Sequence, residues 1–398
     1  MFKFGLEVLL EDKKLISELK KKRVSLVCHP ASVDQNLNHS FDLVFKKIGL
    51  SSAFGPQHGV KGDKQYNMVE SDDEIDKTHN IPIFSLYGKV RRPDKKMMHS
   101  FDVALFDLQD LGCRIYTFVT TLLYMMEECA AHKKALIVLD RPNPVGRQIE
   151  GFRLIPGQES FVGAAPIPMR HGLTVGELAL YFKDFYKLDI DLRVVKMKGY
   201  SPAKKPNYGW PENLTWINPS PNAPSLNMAR VYPGSVFLEG TTLTEGRGTT
   251  RPLEVVGAPD IDMQLVLQRM KKMAPQWMKG VVVRECFFEP TFYKHQGKTC
   301  HGLHFHTDHK SFSDKDFKPF RIFALLFKAI RLQYPKYGLY RDFVYEYVTD
   351  RLAFDVINGG HALREWIEDP KATPKELEKV LKADESSWAK ECKRYYLY

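Results

Sequence analysis

Short apolar runs in the first half of the chain are each followed at once by polar or charged residues. His29 follows the first run, Gln57 and His58 follow the second, Tyr87 follows the third and Asp107 follows the fourth. Continuous Val, Ile, Leu and Phe runs are typical of strands buried on both faces of a parallel sheet. Ligands bind beyond the carboxyl ends of such strands, so we expect these side chains to line one cleft. Their amide, imidazole and carboxyl groups suit hydrogen bonding to a polar ligand and proton transfer.

The same reasoning extends the candidate cleft to polar residues after the remaining runs and within later motifs. The substrate-binding candidates are Gln57, Tyr87, Gln109, Arg114, Asp140, Arg141, Asn143, His171, Asn222 and Arg247. Helix caps and turns offer another explanation for Asp140 and Asn143 individually, but they explain the whole set poorly.

A second cluster, residues 239–252, mixes glycines with charged residues. Glu245 and Arg247 are two positions apart, so an extended backbone points both side chains the same way. The glycines permit close backbone approach and unusual dihedral angles. The motif of a phosphate-binding loop is absent, so this segment is expected to form either a cleft wall or a charged surface hairpin.

A third segment, residues 300–309, is rich in histidine and begins with a cysteine. Imidazole and thiolate groups are zinc ligands, but alternation along a strand places His304 and His306 on one face and His301 on the other. We therefore expect packed or solvated histidines and no metal. The motifs of serine hydrolases, zincins and dinucleotide enzymes are also absent.

The elements that must position these groups follow an alternating strand–helix pattern. Strands are predicted at residues 23–28, 81–86, 103–106 and 135–139, with a weaker one near 192–197, and a helix at 117–132. A capping box at Thr174 begins another helix. This alternation indicates an α/β fold with a parallel sheet.

The later part of the chain is mixed. Residues 201–224 are rich in Pro, Asn, Gly and Trp and predict a long loop. Helices are predicted from Asp262 through 273, over 314–333 and after a second capping box at Thr373, and residues 281–288 are β-like.

The composition is that of a globular protein, because 43% of the 398 residues are hydrophobic and only 27% are charged. The formal charge of +10 is spread along the chain and accompanies no recognition-helix or base-stacking motif, so we expect no nucleic-acid partner. No uncharged apolar run approaches the ~20 residues that span a bilayer. Six scattered cysteines without C-x-x-C spacing argue against a zinc ribbon or disulfide framework.

The first residues show no secretory apolar region, so we expect a cytoplasmic protein. The alternative is a periplasmic or secreted protein whose signal peptide has been removed.

Several long motifs resemble one known family, the exo-acting β-N-acetylmuramidases called NamZ. They are FGPQHGVKGD, FDLQDLGCRIYTFVTTL, LDRPNPVG, PIPMRHGLTVGEL, NPSPNAPSL, YPGSVFLEGTTLTEGRGTTRPLEVVGAP and the closing RYYLY. The resemblance covers residues 4–398. It implies a Rossmann-like domain over 1–230, a smaller α+β domain over 231–398 and an active site between them. It also implies hydrolysis of β-linked N-acetylmuramic acid from the non-reducing end of peptidoglycan fragments, without a cofactor.

One departure from the family affects the chemistry. The family commonly has glutamate where this chain has Gln57, and an amide cannot exchange a proton as a carboxyl group does. Three interpretations are open: another carboxyl group such as Glu70 serves instead, the substitution inactivates the enzyme, or the chain is a non-catalytic muropeptide-binding protein.

Glycoside cleavage normally needs an acid for the leaving oxygen and a second group for the anomeric carbon or its water. The first acid candidates are Glu245 and Glu70, and Glu239 ranks after them. Asp107 or Asp110 could orient the substrate's acetamido group, and His58 could bind the substrate. The guanidinium groups of Arg114, Arg141 and Arg247 are candidates for the lactyl carboxylate of muramic acid. The oligomeric state is left open.

Overall fold

The chain folds into a seven-stranded sheet in its first half and a three-stranded sheet in its second half. The computed structural model describes residues 1–66, 68–203 and 208–398. The strands are β1 (Val24–Val27), β2 (Ser52–Gly55), β3 (Glu74–Ile75), β4 (Pro82–Ser85), β5 (Val103–Phe106), β6 (Ala135–Leu139), β7 (Glu150–Arg153), β8 (Pro168–Arg170), β9 (Asp191–Val195), β10 (Val255–Ala258), β11 (Val282–Phe288) and β12 (Cys300–His306).

Helices connect and cover these strands. They are α1 (Gly5–Glu11), α2 (Lys13–Leu19), α3 (Ser40–Lys47), α4 (Lys95–His99), α5 (Phe118–Ala131), α6 (Val175–Phe185), α7 (Leu226–Ser235), α8 (Met263–Met273), α9 (Pro319–Gln333), α10 (Ala353–Asn358), α11 (Ala362–Glu368) and α12 (Pro374–Cys392). Two short 3-10 helices occupy Val236–Gly240 and Lys393–Tyr395.

The large sheet has the order β3-β4-β2-β1-β5-β6-β9, and every pair except β3–β4 is parallel. Val27 at the end of β1 lies opposite Phe54 of β2 and Phe106 of β5. The residues that follow these three strands therefore emerge at one edge. Because β1 lies between β2 and β5, the strand order reverses here, which is where such sheets bind ligands.

Alternation along the strands explains why the sheet carries helices on both faces. Leu105 and Ile137 belong to an apolar core beneath α1 and α3, whereas Phe106 and Val138 belong to a second core beneath α5 and α6. The second core is continuous with buried residues of α7 and α9 in the other half of the chain. The two halves consequently share one hydrophobic interior.

The second half is built around the antiparallel order β10-β12-β11. Helices α8 and α9 pack together, and α7 packs on α9. The antiparallel pair β7–β8, which comes from the first half, packs against α12 near the end of the chain. The chain therefore crosses between its halves more than once.

Most of the predicted elements are confirmed within one or two residues. The predicted strands at 103–106 and 135–139 match β5 and β6 without change. Both predicted capping boxes form, since the Thr174 and Thr373 hydroxyl groups accept from the backbone N–H three residues later and the glutamate there accepts in return. Asp262 caps α8 as predicted.

The helix predicted over 314–333 begins later, at Pro319, which occupies a first-turn position. Asp314 precedes this helix and is buried in an ion pair with Arg170 at 2.6 Å. The predicted loop at 201–224 contains no helix or strand in its described part, and its residues 204–207 lie outside the described residues.

The histidine-rich segment forms β12. A hydrogen bond of 2.6 Å joins His301 Nε2 and Glu285 Oε1. The ring centres of His304 and His306 lie 3.9 Å apart. Over residues 1–66, 68–203 and 208–398, no group of three His, Cys, Asp or Glu side chains could hold a metal ion. Among the helices that the structure describes, none is long and apolar enough to cross a bilayer.

Candidate active site

A cavity lies beyond the carboxyl ends of β2 and β5, where the two halves of the chain meet. It contains about 470 Å³ of empty space including its mouth. Its polar lining consists of Gln57, His58, Tyr116, Thr117, Ser220, Asn222, Tyr232, Glu239, Arg247, Tyr345 and Glu346. The first half supplies the strand-end turns, and the second half supplies most of the ionisable groups.

Glu346 faces Gln57 across this cavity, although the two residues are far apart in sequence. The Gln57 amide donates to Glu346 Oε1 at 3.2 Å, and Tyr87 OH donates to Glu346 Oε2 at 2.8 Å. Thr117 Oγ1, at the start of α5, donates to Gln57 Oε1 at 2.8 Å, which fixes the amide orientation. Gln57 therefore cannot supply a carboxyl group itself, but its amide nitrogen donates a hydrogen bond to the carboxyl group of Glu346.

The environment of Glu346 favours its protonated form. Burial raises the pKa of Glu346 to about 7, and the nearby charge of Glu239 adds to this rise. The hydrogen bonds from Tyr87 and Gln57 act in the opposite direction because they stabilise the carboxylate. A carboxyl group with this pKa can release or accept a proton near neutral pH.

Glu239 is the second carboxyl group of the cavity, and its partners differ. Arg247 donates to Glu239 Oε1 at 2.6 Å, and Tyr345 OH donates to Glu239 Oε2 at 2.7 Å. Two carboxyl groups in contrasting environments are typical of sites that divide acid and electrostatic roles between them.

A row of buried charges continues behind Glu239. Arg247 Nε lies 3.0 Å from Glu245 Oε1, and Lys294 Nζ lies 2.7 Å from Glu245 Oε2. Burial opposes ionisation, but Lys294 and Arg247 hold the pKa of Glu245 below its ordinary value. Glu245 is fully buried and does not line the cavity, so the structure places it as a support for Arg247.

The glycines beside Arg247 are needed for this arrangement. Gly246 and Gly248 have φ angles of 76° and 81°, which lie in the left-handed region. A Cβ atom on Gly246 would lie 2.3 Å from Val255 Cγ2. Residues 239–252 thus form a cleft wall, not a surface hairpin.

His58 enters the cavity from the turn after β2, with a φ of 72°. Its Nδ1 lies 2.8 Å from the Lys64 carbonyl oxygen, and because a carbonyl only accepts, Nδ1 carries the proton. Burial lowers the pKa of His58 to about 4, so the ring is neutral at pH 7. Nε2 is then an acceptor for a ligand N–H or O–H.

Several predicted residues lie at the same sheet edge but outside the lining of the cavity. Asp107 pairs with Arg141 at 2.6 Å, and both side chains are buried. The Asp110 carboxylate accepts from Gly112 N–H, and Gln109 donates to two backbone carbonyls. These side chains shape the turn after β5.

Asp140 and Asn143 hold turns, as the alternative explanation for them anticipated. Asp140 accepts from Thr174 Oγ1 at 2.8 Å and Gly176 N at 2.7 Å at the start of α6. Asn143 donates to the Leu173 carbonyl oxygen. Burial raises the pKa of Asp140 to about 7, so a shifted carboxyl pKa also occurs away from the cavity.

Arg114 and His171 are buried in the interior. Arg114 donates to four carbonyl oxygens, those of Phe152, Ile167, Ile357 and Asn358, at 2.7–3.0 Å. His171 Nε2 lies 3.6 Å from the Asp110 carboxylate. Of the three candidate arginines, Arg247 is the one that lines the cavity.

Glu70 lies outside the cavity, on its rim. Its side chain is half exposed, accepts from Tyr347 OH at 2.9 Å and lies 3.4 Å from an Arg91 nitrogen. Glu346, the carboxyl group that contacts Gln57, is not among the residues predicted from the sequence. It lies in a segment without periodicity or a known motif, YRDFVYEYVTD, and its only sequence signal is an acid among aromatic residues.

Comparisons with known proteins cover the whole chain. The family described as "Exo-beta-N-acetylmuramidase NamZ, N-terminal" matches residues 24–227, and the corresponding C-terminal family matches residues 230–398. The peptidoglycan beta-N-acetylmuramidase NamZ of Bacillus subtilis (strain 168) is 37% identical over 401 residues, which is 99% of this chain and 91% of that protein.

Two solved structures from Bacteroides fragilis NCTC 9343, both DUF1343 family proteins, share the fold. One superimposes with a TM-score of 0.86 at 30% identity, and the other with 0.75 at 27% identity. Each comparison covers 100% of this chain and 99% of the solved one.

Proposed function

The chain belongs to the NamZ family of exo-β-N-acetylmuramidases, and we propose that it releases terminal N-acetylmuramic acid from peptidoglycan fragments with Glu346 as the acid. The observation that carries this assignment is the pairing of Glu346 with Gln57. The carboxyl group is present in the cavity, but it comes from the second half of the chain. Although position 57 carries an amide, the site therefore keeps an ionisable group beside it, the carboxyl group of Glu346.

Protonated Glu346 is suited to the first chemical step. It gives its proton to the oxygen between C1 of the muramic acid and the next sugar, and the C1–O bond breaks with its electron pair moving to that oxygen. The carbonyl oxygen of the substrate's own acetamido group bonds to C1 as this bond breaks. The leaving sugar departs with a hydroxyl group.

Glu239 is suited to orient that acetamido group. Both of its oxygens already accept hydrogen bonds, from Arg247 and Tyr345, so it acts by its charge and not by attacking C1. Its carboxylate stabilises the positive charge that develops on the acetamido N–H.

The second step restores the enzyme. The Glu346 carboxylate takes a proton from water, the resulting hydroxide bonds to C1, and the bond from the acetamido oxygen breaks with its electrons returning to the amide. N-acetylmuramic acid is released and Glu346 is again protonated. Neutral His58 accepts a hydrogen bond from a substrate N–H or O–H through Nε2.

Replacement of Glu346 by glutamine tests the assignment. With the disaccharide of N-acetylmuramic acid linked to N-acetylglucosamine, we expect kcat/KM to fall by about 10²–10⁴-fold, which is the usual contribution of a general acid. The loss should be smaller with a nitrophenyl glycoside, because nitrophenolate leaves without full protonation.

Glu18→Gln is the matched control, since Glu18 is a half-exposed carboxyl group that pairs with Arg193 at the surface and does not line the cavity. Its turnover of the nitrophenyl glycoside should stay close to that of the unmodified enzyme. Full activity of Glu346→Gln on the disaccharide would exclude Glu346 as the acid, and binding without turnover by the unmodified chain would exclude hydrolysis.

A further inference from the structure

The position of the acid indicates where the leaving sugar must lie. A general acid donates to the oxygen of the departing group, so that group occupies the side of the cavity on which the acid is exposed. Glu346 is followed directly by Tyr347, which is 44% exposed. The φ angles of Glu346 and Tyr347 are 47° and 69°, so both residues adopt the left-handed conformation that non-glycine residues rarely adopt. This backbone directs the carboxyl group inward and leaves the aromatic ring at the rim.

Tyr347 forms a compact group with Arg91 and Glu70. The Arg91 guanidinium carbon lies 3.2 Å from the centre of the Tyr347 ring and 5.9 Å from that of Tyr87. Tyr347 OH donates to Glu70 Oε1 at 2.9 Å, and an Arg91 nitrogen lies 3.4 Å from the same oxygen. The group is continuous with the acid, because Tyr87 also donates to Glu346.

This rim group has unused capacity for hydrogen bonds. Arg91 Nε is buried and has no hydrogen-bond partner among the residues that the structure describes. The Glu70 carboxylate is half exposed, and its ion pair with Arg91 is long. A buried donor without a partner calls for an explanation in a folded protein, and a group supplied by a ligand is one such explanation.

The chemistry of the rim suits a sugar ring. An exposed aromatic side chain offers an apolar surface to the C–H groups of a pyranose, while guanidinium and carboxylate groups bind its hydroxyl groups. We propose that Tyr347, Arg91 and Glu70 form the leaving-group subsite, where the sugar released by cleavage is bound. This inference rests on the proposed function and adds the recognition of the second sugar to it.

The test separates binding of the second sugar from catalysis. Glu346→Gln protein is titrated with N-acetylmuramic acid and with the disaccharide of N-acetylmuramic acid linked to N-acetylglucosamine, and both dissociation constants are measured by calorimetry. With the subsite intact, we expect the disaccharide to bind about tenfold more tightly, the equivalent of one or two good polar and stacking contacts.

Two further variants remove the subsite in this background. Tyr347→Asn removes the ring while keeping a residue that tolerates a positive φ, and Arg91→Ala removes the guanidinium group. Each should bring the two dissociation constants within about twofold of each other while leaving that of N-acetylmuramic acid unchanged. Arg92→Ala is the matched control, because Arg92 packs on Tyr124 and pairs with Glu127 away from the rim. It should preserve the tenfold preference.

A disaccharide preference that survives both variants, or one that is absent before either is introduced, would overturn the subsite. Neither outcome affects the proposed function, which depends on turnover by the unmodified enzyme. Absence of turnover and of binding for both sugars would overturn the proposed function itself.

Discussion

At the scale of single residues, the site depends on two side chains that are 289 positions apart. Gln57 lies in a long motif and could be found from the sequence, whereas Glu346 lies in a segment whose spacing indicates no chemistry. The hydrogen bond between them is set by the docking of the two halves, and no local pattern encodes it. The sequence therefore predicts the cleft but not Glu346, the residue that we propose as the acid.

The pKa of Glu346 determines a pH dependence. Its folded-state pKa is raised from 4.5 to about 7, and the acid must be protonated to act, so kcat/KM should fall as pH rises through about 7. Tyr87→Phe removes an O–H that stabilises the carboxylate and should therefore raise this pKa further. We expect the alkaline fall in kcat/KM to move to higher pH in this variant. A fall that stays in place or moves to lower pH would contradict the role of Glu346.

At the scale of helices and strands, the sequence predicts correctly those elements whose ends are fixed by contacts between near neighbours in the chain. The sequence predicts the capping boxes at Thr174 and Thr373, and its apolar runs predict β5 and β6. The sequence predicts the start of α9 five residues too early, because the burial of Asp314 against Arg170 is a long-range contact that periodicity does not report. Asp107 and Arg141 were predicted to face a ligand, and the structure pairs them with each other instead.

Arg114 joins elements from both halves of the chain. It donates to carbonyls beside the β7–β8 pair and to the carbonyls of Ile357 and Asn358, where α10 ends. Arg114→Lys keeps the charge but cannot reproduce this fork of donors. We expect a loss of about 2–4 kcal/mol in the free energy of unfolding, measured with urea.

The exposed Arg193, which pairs with Glu18 at the surface, provides the control for Arg114. Arg193→Lys should change the free energy of unfolding by less than about 0.5 kcal/mol. The Michaelis constant of Arg114→Lys should change equally for substrates with and without the lactyl group. A selective change for lactyl substrates would return Arg114 to a role in recognition.

At the scale of the whole molecule, the two halves are joined by a common core and by the last residues of the chain. Tyr398 OH donates to Asp140 Oδ2 at 2.8 Å and accepts from Met197 N–H at 2.8 Å. Leu397 N–H donates to Glu177 Oε1 at 2.7 Å. The closing RYYLY motif carries part of the family resemblance, but periodicity does not predict its place against the first sheet.

Tyr398→Phe tests this connection with the loss of one oxygen atom. The backbone N–H of Met197 and the buried carboxyl group of Asp140 would each lose a partner. We expect the melting temperature to fall by about 3–6 °C in a single transition. Arg394→Ala, which removes an exposed side chain paired with Asp184, should leave the melting temperature nearly unchanged. An early separate transition of the first half would show that the halves unfold independently.

The contact of Tyr398 with Asp140 also constrains the order of events during synthesis on the ribosome. The two residues are 258 positions apart, so at 5–20 residues per second Tyr398 is made about 10–50 s after Asp140. Throughout that interval the nascent first sheet has a buried carboxyl group without one of its donors. The first half can therefore complete this hydrogen-bond network only after Tyr398 has been made, and translation speed sets the length of that interval.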